Sequence, residues 1–106
     1  MLPGRCLFVF MALVWGTYAA PAHAKTFQVT IENLTFLPAE ITAKVGDTIV
    51  WINKDIVAHT ATVRGGFDVM IEADKSASLV LTKTSIVEYY CRFHPNMKGW
   101  ITVTPE

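Results

Sequence analysis

Thr26-Phe27-Gln28-Val29-Thr30-Ile31-Glu32 alternates polar and apolar residues one for one. A period of two puts Phe27, Val29 and Ile31 on one face of a strand and leaves the other face to water. The alternation returns in Ile41, Ala43 and Val45, just before the punctuating Gly46-Asp47. Thr48 to Ile52 is β-branched and aromatic and stops at the polar turn Asn53-Lys54-Asp55. Ile56 to Val63, Ser78 to Thr82, Ile86 to Cys91 and Trp100 to Thr104 extend the series, with Arg64-Gly65-Gly66, Lys83-Thr84-Ser85 and Gly99 as breaks. Phe67 to Ala77 comes nearest to a helical period, but no segment sustains one. About seven short strands with turn signals every 8–12 residues predict an all-β chain folded as an antiparallel sandwich or barrel.

Composition separates the chain into two pieces. It has 106 residues with nine Lys plus Arg against nine Asp plus Glu, enough for one domain and without the basic excess of a nucleic-acid binder. Residues 1–24 hold 17 of the apolar residues and the other 82 residues hold 38, so the second piece has ordinary globular composition. Arg5, the apolar run Cys6 to Trp15 and the small residues of Ala22-His23-Ala24 read as an export signal cut before Lys25. A run of ten apolar residues is shorter than the roughly 20 that a membrane-spanning helix needs. The expected exported domain, residues 25–106, carries eight basic and nine acidic residues and keeps only His59, His94, Met70, Met97 and Cys91 from the ligand-bearing types. A single exported cysteine forms no internal disulfide, so it is expected to be buried, paired between chains or bound to metal.

Cys91-Arg92-Phe93-His94-Pro95-Asn96-Met97 spaces a thiol, an imidazole and a thioether at three-residue intervals between two strands. A tight loop there brings three donors to one end of the sandwich, and His59 is the one other histidine available as a fourth. The set His59, Cys91, His94 and Met97 suits zinc poorly, because a neutral thioether is a weak ligand for it, and calcium or magnesium need oxygens. Two imidazoles and a thiolate in a trigonal plane, with a weak axial thioether, match copper in electron-transfer sites.

Cys91-x-x-His94-x-x-Met97 before Gly99, with an upstream histidine, resembles the cupredoxins, and the short gap from His94 to Met97 is most similar to their amicyanin branch. The stretches Ala39 to Asp47 and Ile49 to Asp55 support the likeness, which covers residues 25–104. It implies a Greek-key β-sandwich of seven to eight strands and one type 1 copper. His59, Cys91 and His94 are then its equatorial ligands and Met97 its axial one. It further implies one-electron transfer in a bacterial periplasm by a monomer that is not an enzyme. The implied partners are redox proteins, an amine dehydrogenase as donor and a c-type cytochrome as acceptor. The chain departs from that pattern in three places. Thr60 stands where the branch has an Asn that braces the thiolate loop, and Arg92-Phe93 where it usually has Thr-Pro. The domain also starts later, which implies a missing edge strand.

Other readings of the same residues remain open at this level. Cys91 alone suits an inert buried thiol, Met97 suits core packing, and Met70 competes with it as the axial donor. His94 is expected to present its ring edge to solvent within an apolar patch of Leu34, Phe36, Phe93 and Pro95. Trp51, Trp100, Tyr89, Tyr90, Phe67 and Val69 are assigned to packing. A charge on Arg92 roughly 10 Å from copper favours the reduced state by about 1–2 kcal/mol at an effective dielectric of about 20, a few tens of millivolts upward. A copper-delivery or buffering protein would use the same ligands. A cysteine-nucleophile enzyme would pair Cys91 with His94, and a purely adhesive sandwich would need no metal.

Overall fold

The computed structural model describes residues 23–106, so most of the expected export signal lies outside the described residues. Among the described residues there are nine strands and no helix: β1 (Thr26–Glu32), β2 (Thr35–Leu37), β3 (Glu40–Lys44), β4 (Thr48–Asn53), β5 (His59–Thr62), β6 (Asp68–Ile71), β7 (Ser76–Val80), β8 (Ser85–Cys91) and β9 (His94–Thr104). They form a four-stranded sheet in the order β2-β1-β4-β7 and a five-stranded sheet in the order β3-β9-β8-β5-β6. The sandwich is mixed rather than purely antiparallel, because β1 runs parallel to β4 and β3 runs parallel to β9. Alternation along a strand reports which face is buried but not the direction of its neighbour, so these crossovers were invisible in the pattern.

Val29 and Ile31 of β1 and Ile41 and Ala43 of β3 face inward as their alternation predicts, Phe27 and Val45 of the same pattern are half-buried, and Ile49 and Trp51 of β4 with Ile101 and Val103 of β9 complete the core. Trp51 and Tyr89 meet edge to face at 5.6 Å, and Phe36 meets Tyr89 at 4.6 Å. The Trp51 indole N–H donates to the Tyr89 hydroxyl at 3.3 Å. Burial raises the Tyr89 phenol to about 12, against the opposing pull of that hydrogen bond.

Four strand readings are corrected. Phe67 to Ala77 holds the edge strand β6 and the start of β7 around a turn at Asp74, and Phe67, Val69 and Ile71 supply inward contacts. Pairing with β5 outweighs the weak local helical spacing. β7 begins at Ser76, two residues before the expected start. β5 is only the second half of Ile56 to Val63, because Asn53 donates to the Val57 carbonyl at 2.9 Å and turns Ile56 out to 94% exposure. β9 begins at His94, so the expected loop over 91–97 is a two-residue turn, Arg92-Phe93, followed by a bulge. Trp100 lies on an outer sheet face, 44% exposed, rather than in the core.

Asp47 ties the start of the domain to the fold. Its carboxylate accepts the Lys25 N–H and the Lys44 N–H, both at 2.8 Å. These two backbone donors, in that order, hold its pKa below the ordinary value. The stabilisation is therefore fully present above pH 3.8 and is lost as pH falls through the lower folded value. Asp47→Asn is expected to reduce stability at neutral pH and flatten the acid limb of a stability–pH curve. Equal losses at pH 7 and pH 2 would contradict this.

Candidate metal centre

Three of the four expected ligands converge at one end of the sandwich. His59 opens β5, Cys91 closes β8 and His94 opens β9, and their ligand atoms lie within 4.8 Å of one another. The Cys91 Sγ is 3.6 Å from His59 Nδ1 and 3.7 Å from His94 Nδ1. An ion with a metal–sulfur distance of about 2.3 Å and metal–nitrogen distances of about 2.0 Å sets such donors roughly 3.5–3.7 Å apart at angles between tetrahedral and trigonal. The donor triangle thus has the size of one coordinated ion.

The hairpin explains the convergence. Tyr90 pairs with Lys98, but Cys91 pairs with His94, so Pro95, Asn96 and Met97 are extra residues on β9. The bulge bends the strand over the end of the sandwich and returns Met97 to the interior, 4% exposed. Met70, the competing thioether, points outward from edge strand β6 and is 43% exposed. Cys91 and His59 are fully buried, and His94 is half-buried beside Leu34, Phe93, Pro95, Asn96 and Met97.

Bracing groups complete the centre, and sequence reasoning missed the first of them. The Asp55 carboxylate is 2.8 Å from His59 Nε2, which leaves Nδ1 facing the sulfur. Asp55 also accepts the N–H groups of Asn33 at 2.8 Å and Leu34 at 3.0 Å. Burial raises its pKa most, yet the Leu34 N–H, the His59 ring and the Asn33 N–H together hold it below the ordinary value. Asn53, read as a turn residue, is buried and bonds the carbonyls of Val57, Ile71 and Glu72, fixing the segment that carries Asp55. No sequence spacing marks these contacts, since they depend on where the β4–β5 connection folds. Thr60 replaces the expected Asn with a different brace. Its N–H points at Cys91 Sγ at 3.4 Å, and its hydroxyl accepts the Arg92 N–H at 2.8 Å.

A cupredoxin-like domain profile matches residues 5–103. The chain belongs to the cupredoxin-like family. Among curated relatives it is similar to amicyanin from Paracoccus versutus, 27% identical over 80% of this chain and 70% of the relative. It is also similar to the methylamine utilization protein MauL of Methylorubrum extorquens, 38% identical over 52% of this chain and 48% of that protein. A solved structure of a reduced Cu(I) form of an amicyanin mutant superposes with a TM-score of 0.69 at 27% identity, covering 80% of this chain and 85% of that one. In this family the His-Cys-His group, buried but for the rim of His94, makes the chain a blue copper electron carrier rather than an enzyme, with one type 1 copper as cofactor.

The apolar surface beside His94 differs from the expected one. Phe36 is buried under Tyr89 and takes no part, while Leu34, Phe93 and Pro95 are joined by Ile56 and Val57. Those two residues were assigned to a strand, and only the Asn53-closed turn brings them to the rim. Arg92 does not stand alone, because its Nε lies 3.1 Å from Asp68 Oδ1 at the surface.

Proposed function

We propose that the exported domain, residues 25–106, binds one copper ion through His59 Nδ1, Cys91 Sγ and His94 Nδ1. Met97 would supply a fourth, thioether donor, and the domain shuttles single electrons in the periplasm. The observation that carries this reading is the Cys91 sulfur 3.6 Å from His59 Nδ1 and 3.7 Å from His94 Nδ1, with the far nitrogen of His59 held by Asp55. Copper, when bound, supplies the one-electron couple. Cys91 and His59 keep their donor atoms away from water, and Asp55 fixes the ring orientation of His59. His94 is the one ligand at the rim, so the electron path leaves through its ring. Leu34, Ile56, Val57, Phe93 and Pro95 form the apolar surface for brief docking there.

Partners follow from the relatives and from charge. A methylamine-utilisation relative supports an amine dehydrogenase as donor, and a c-type cytochrome as acceptor follows from the resemblance alone. Balanced charge gives no support to nucleic acid as a partner. The domain acts as a monomer. Removal of the signal before Lys25 would turn its amide N–H into an ammonium facing Asp47, a stronger, charge-assisted bond.

Adding Cu(II) to the purified protein should produce an intense blue thiolate-to-copper band that Cys91→Ser abolishes. A colourless product overturns the reading, and rapid loss of copper to an acceptor apoprotein turns it toward delivery or buffering. Met97→Ala should change the band and the potential, whereas Met70→Ala should leave both in place. Arg92→Ala removes a cation and leaves Asp68 unopposed, so the potential should fall by a few tens of millivolts. An unchanged potential in voltammetry would show that its charge does not reach the site.

A further inference from the structure

The hydrogen bonds behind Cys91 close into a ring. The Arg92 N–H donates to Thr60 Oγ1 at 2.8 Å, and the Thr60 and Thr62 hydroxyls are 2.9 Å apart. Thr62 Oγ1 lies 2.6 Å from Asp68 Oδ1, and Arg92 Nε returns to that same oxygen at 3.1 Å. The β5–β6 hairpin delivers Asp68, which pairs directly opposite Thr62.

Chemistry sets the direction of each bond. The Thr62 hydroxyl and then the Arg92 guanidinium hold Asp68 below the ordinary carboxylate value, so it is ionised at neutral pH. An ionised carboxylate only accepts, and Thr62 therefore donates to it. Thr62 then offers only lone pairs to Thr60, whose proton points to Thr62. The Thr60 oxygen is left as an acceptor for the Arg92 N–H, and each bond polarises the next.

We infer that Asp68 is a positioning residue for the thiolate loop: through Thr62 and Thr60 it fixes the Cys91–Arg92 peptide and holds the cysteine sulfur opposite the Thr60 N–H. A threonine hydroxyl rotates freely and needs an acceptor to aim it, and the Thr62–Asp68 pair supplies that acceptor. The effect on the metal rests on the copper reading above, but the fixing of the peptide does not.

Amide hydrogen exchange in the copper-free protein tests the second point by itself. Asp68→Ala and Thr62→Val should each speed exchange of the Arg92 N–H about tenfold, equivalent to about 1.4 kcal/mol. The double variant should add little, Thr62→Ser should stay near the parent, and the Ile101 amide on β9 should be unaffected. Unchanged Arg92 exchange, or equal acceleration at Arg92 and Ile101, overturns the proposal. With copper bound, Thr62→Val should shift the thiolate band and Thr62→Ser should restore it. A band that stays in place overturns the role at the sulfur.

Discussion

Asp55→Ala is expected to lower copper affinity by about ten- to a hundredfold, the usual consequence of removing the partner of a ligating histidine, the role proposed for His59. One carboxylate here serves two structures. It takes the Nε2 side of His59, which keeps Nδ1 aimed at the sulfur, and it accepts two successive backbone N–H groups from the β1–β2 turn. Both turn residues have positive φ, 54° at Asn33 and 60° at Leu34. Asn tolerates that conformation, but Leu adopts it only when neighbours impose it. Losing the carboxylate therefore frees the His59 ring and releases the turn that carries Leu34 to the His94 rim. Chelator competition measures the affinity, and amide exchange at Asn33 and Leu34 measures the turn. Asp55→Asn, which keeps an oxygen acceptor, should lose less. Affinity within twofold of the parent for Asp55→Ala would mean that packing alone orients His59.

Gly99→Ala is expected to cost about 3 kcal/mol, the upper end for an overpacked core. An added Cβ would lie 2.6 Å from Tyr89 Cζ and 2.7 Å from its Cε1 and hydroxyl. Gly99 and Tyr89 are register partners on β9 and β8, so neither backbone can move without breaking the ladder that positions Cys91 and His94. The ring cannot tilt away either, since Phe36 and Trp51 pack against it and Trp51 bonds its hydroxyl. For a domain of this size the loss corresponds to a fall in Tm of roughly 10–20 °C, read by thermal unfolding. Tyr89→Leu in the Gly99→Ala background should cost less than the two changes summed, because the smaller side chain makes room. A fall of only a few degrees for Gly99→Ala would show the close approach to be yielding.

Much of the fold is legible in residue order because burial on a strand has a period of two. Val29, Ile31, Ile41 and Ala43 announce their inward faces without reference to any partner, and all four are buried. The misread segments share a cause. Ile56 and Val57 are as β-prone as their neighbours, and Phe67 to Ala77 carries a faint helical spacing. What decided both was contact outside the segment itself: the buried Asn53 amide, anchored on the Ile71 and Glu72 carbonyls as it binds that of Val57, and the pairing of β5 with β6.

The donor set divides in the same way. Cys91, His94 and Met97 fall within seven consecutive residues, so a short connection between strands gathers them, and residue type and spacing suffice to propose copper. His59 emerged because residues 25–106 offer no other histidine upstream of Cys91. Asp55, Asn53, Thr62 and Asp68 carry no such mark, since acids and amides beside turns are common in any soluble chain. Residue order by itself determined which atoms can bind a metal and which strand faces are dry, because both depend on side-chain chemistry and local periodicity. Only the tertiary structure decided how those atoms are aimed. Orientation is set by hydrogen bonds between residues 22 to 32 positions apart, and nothing local in the chain encodes them.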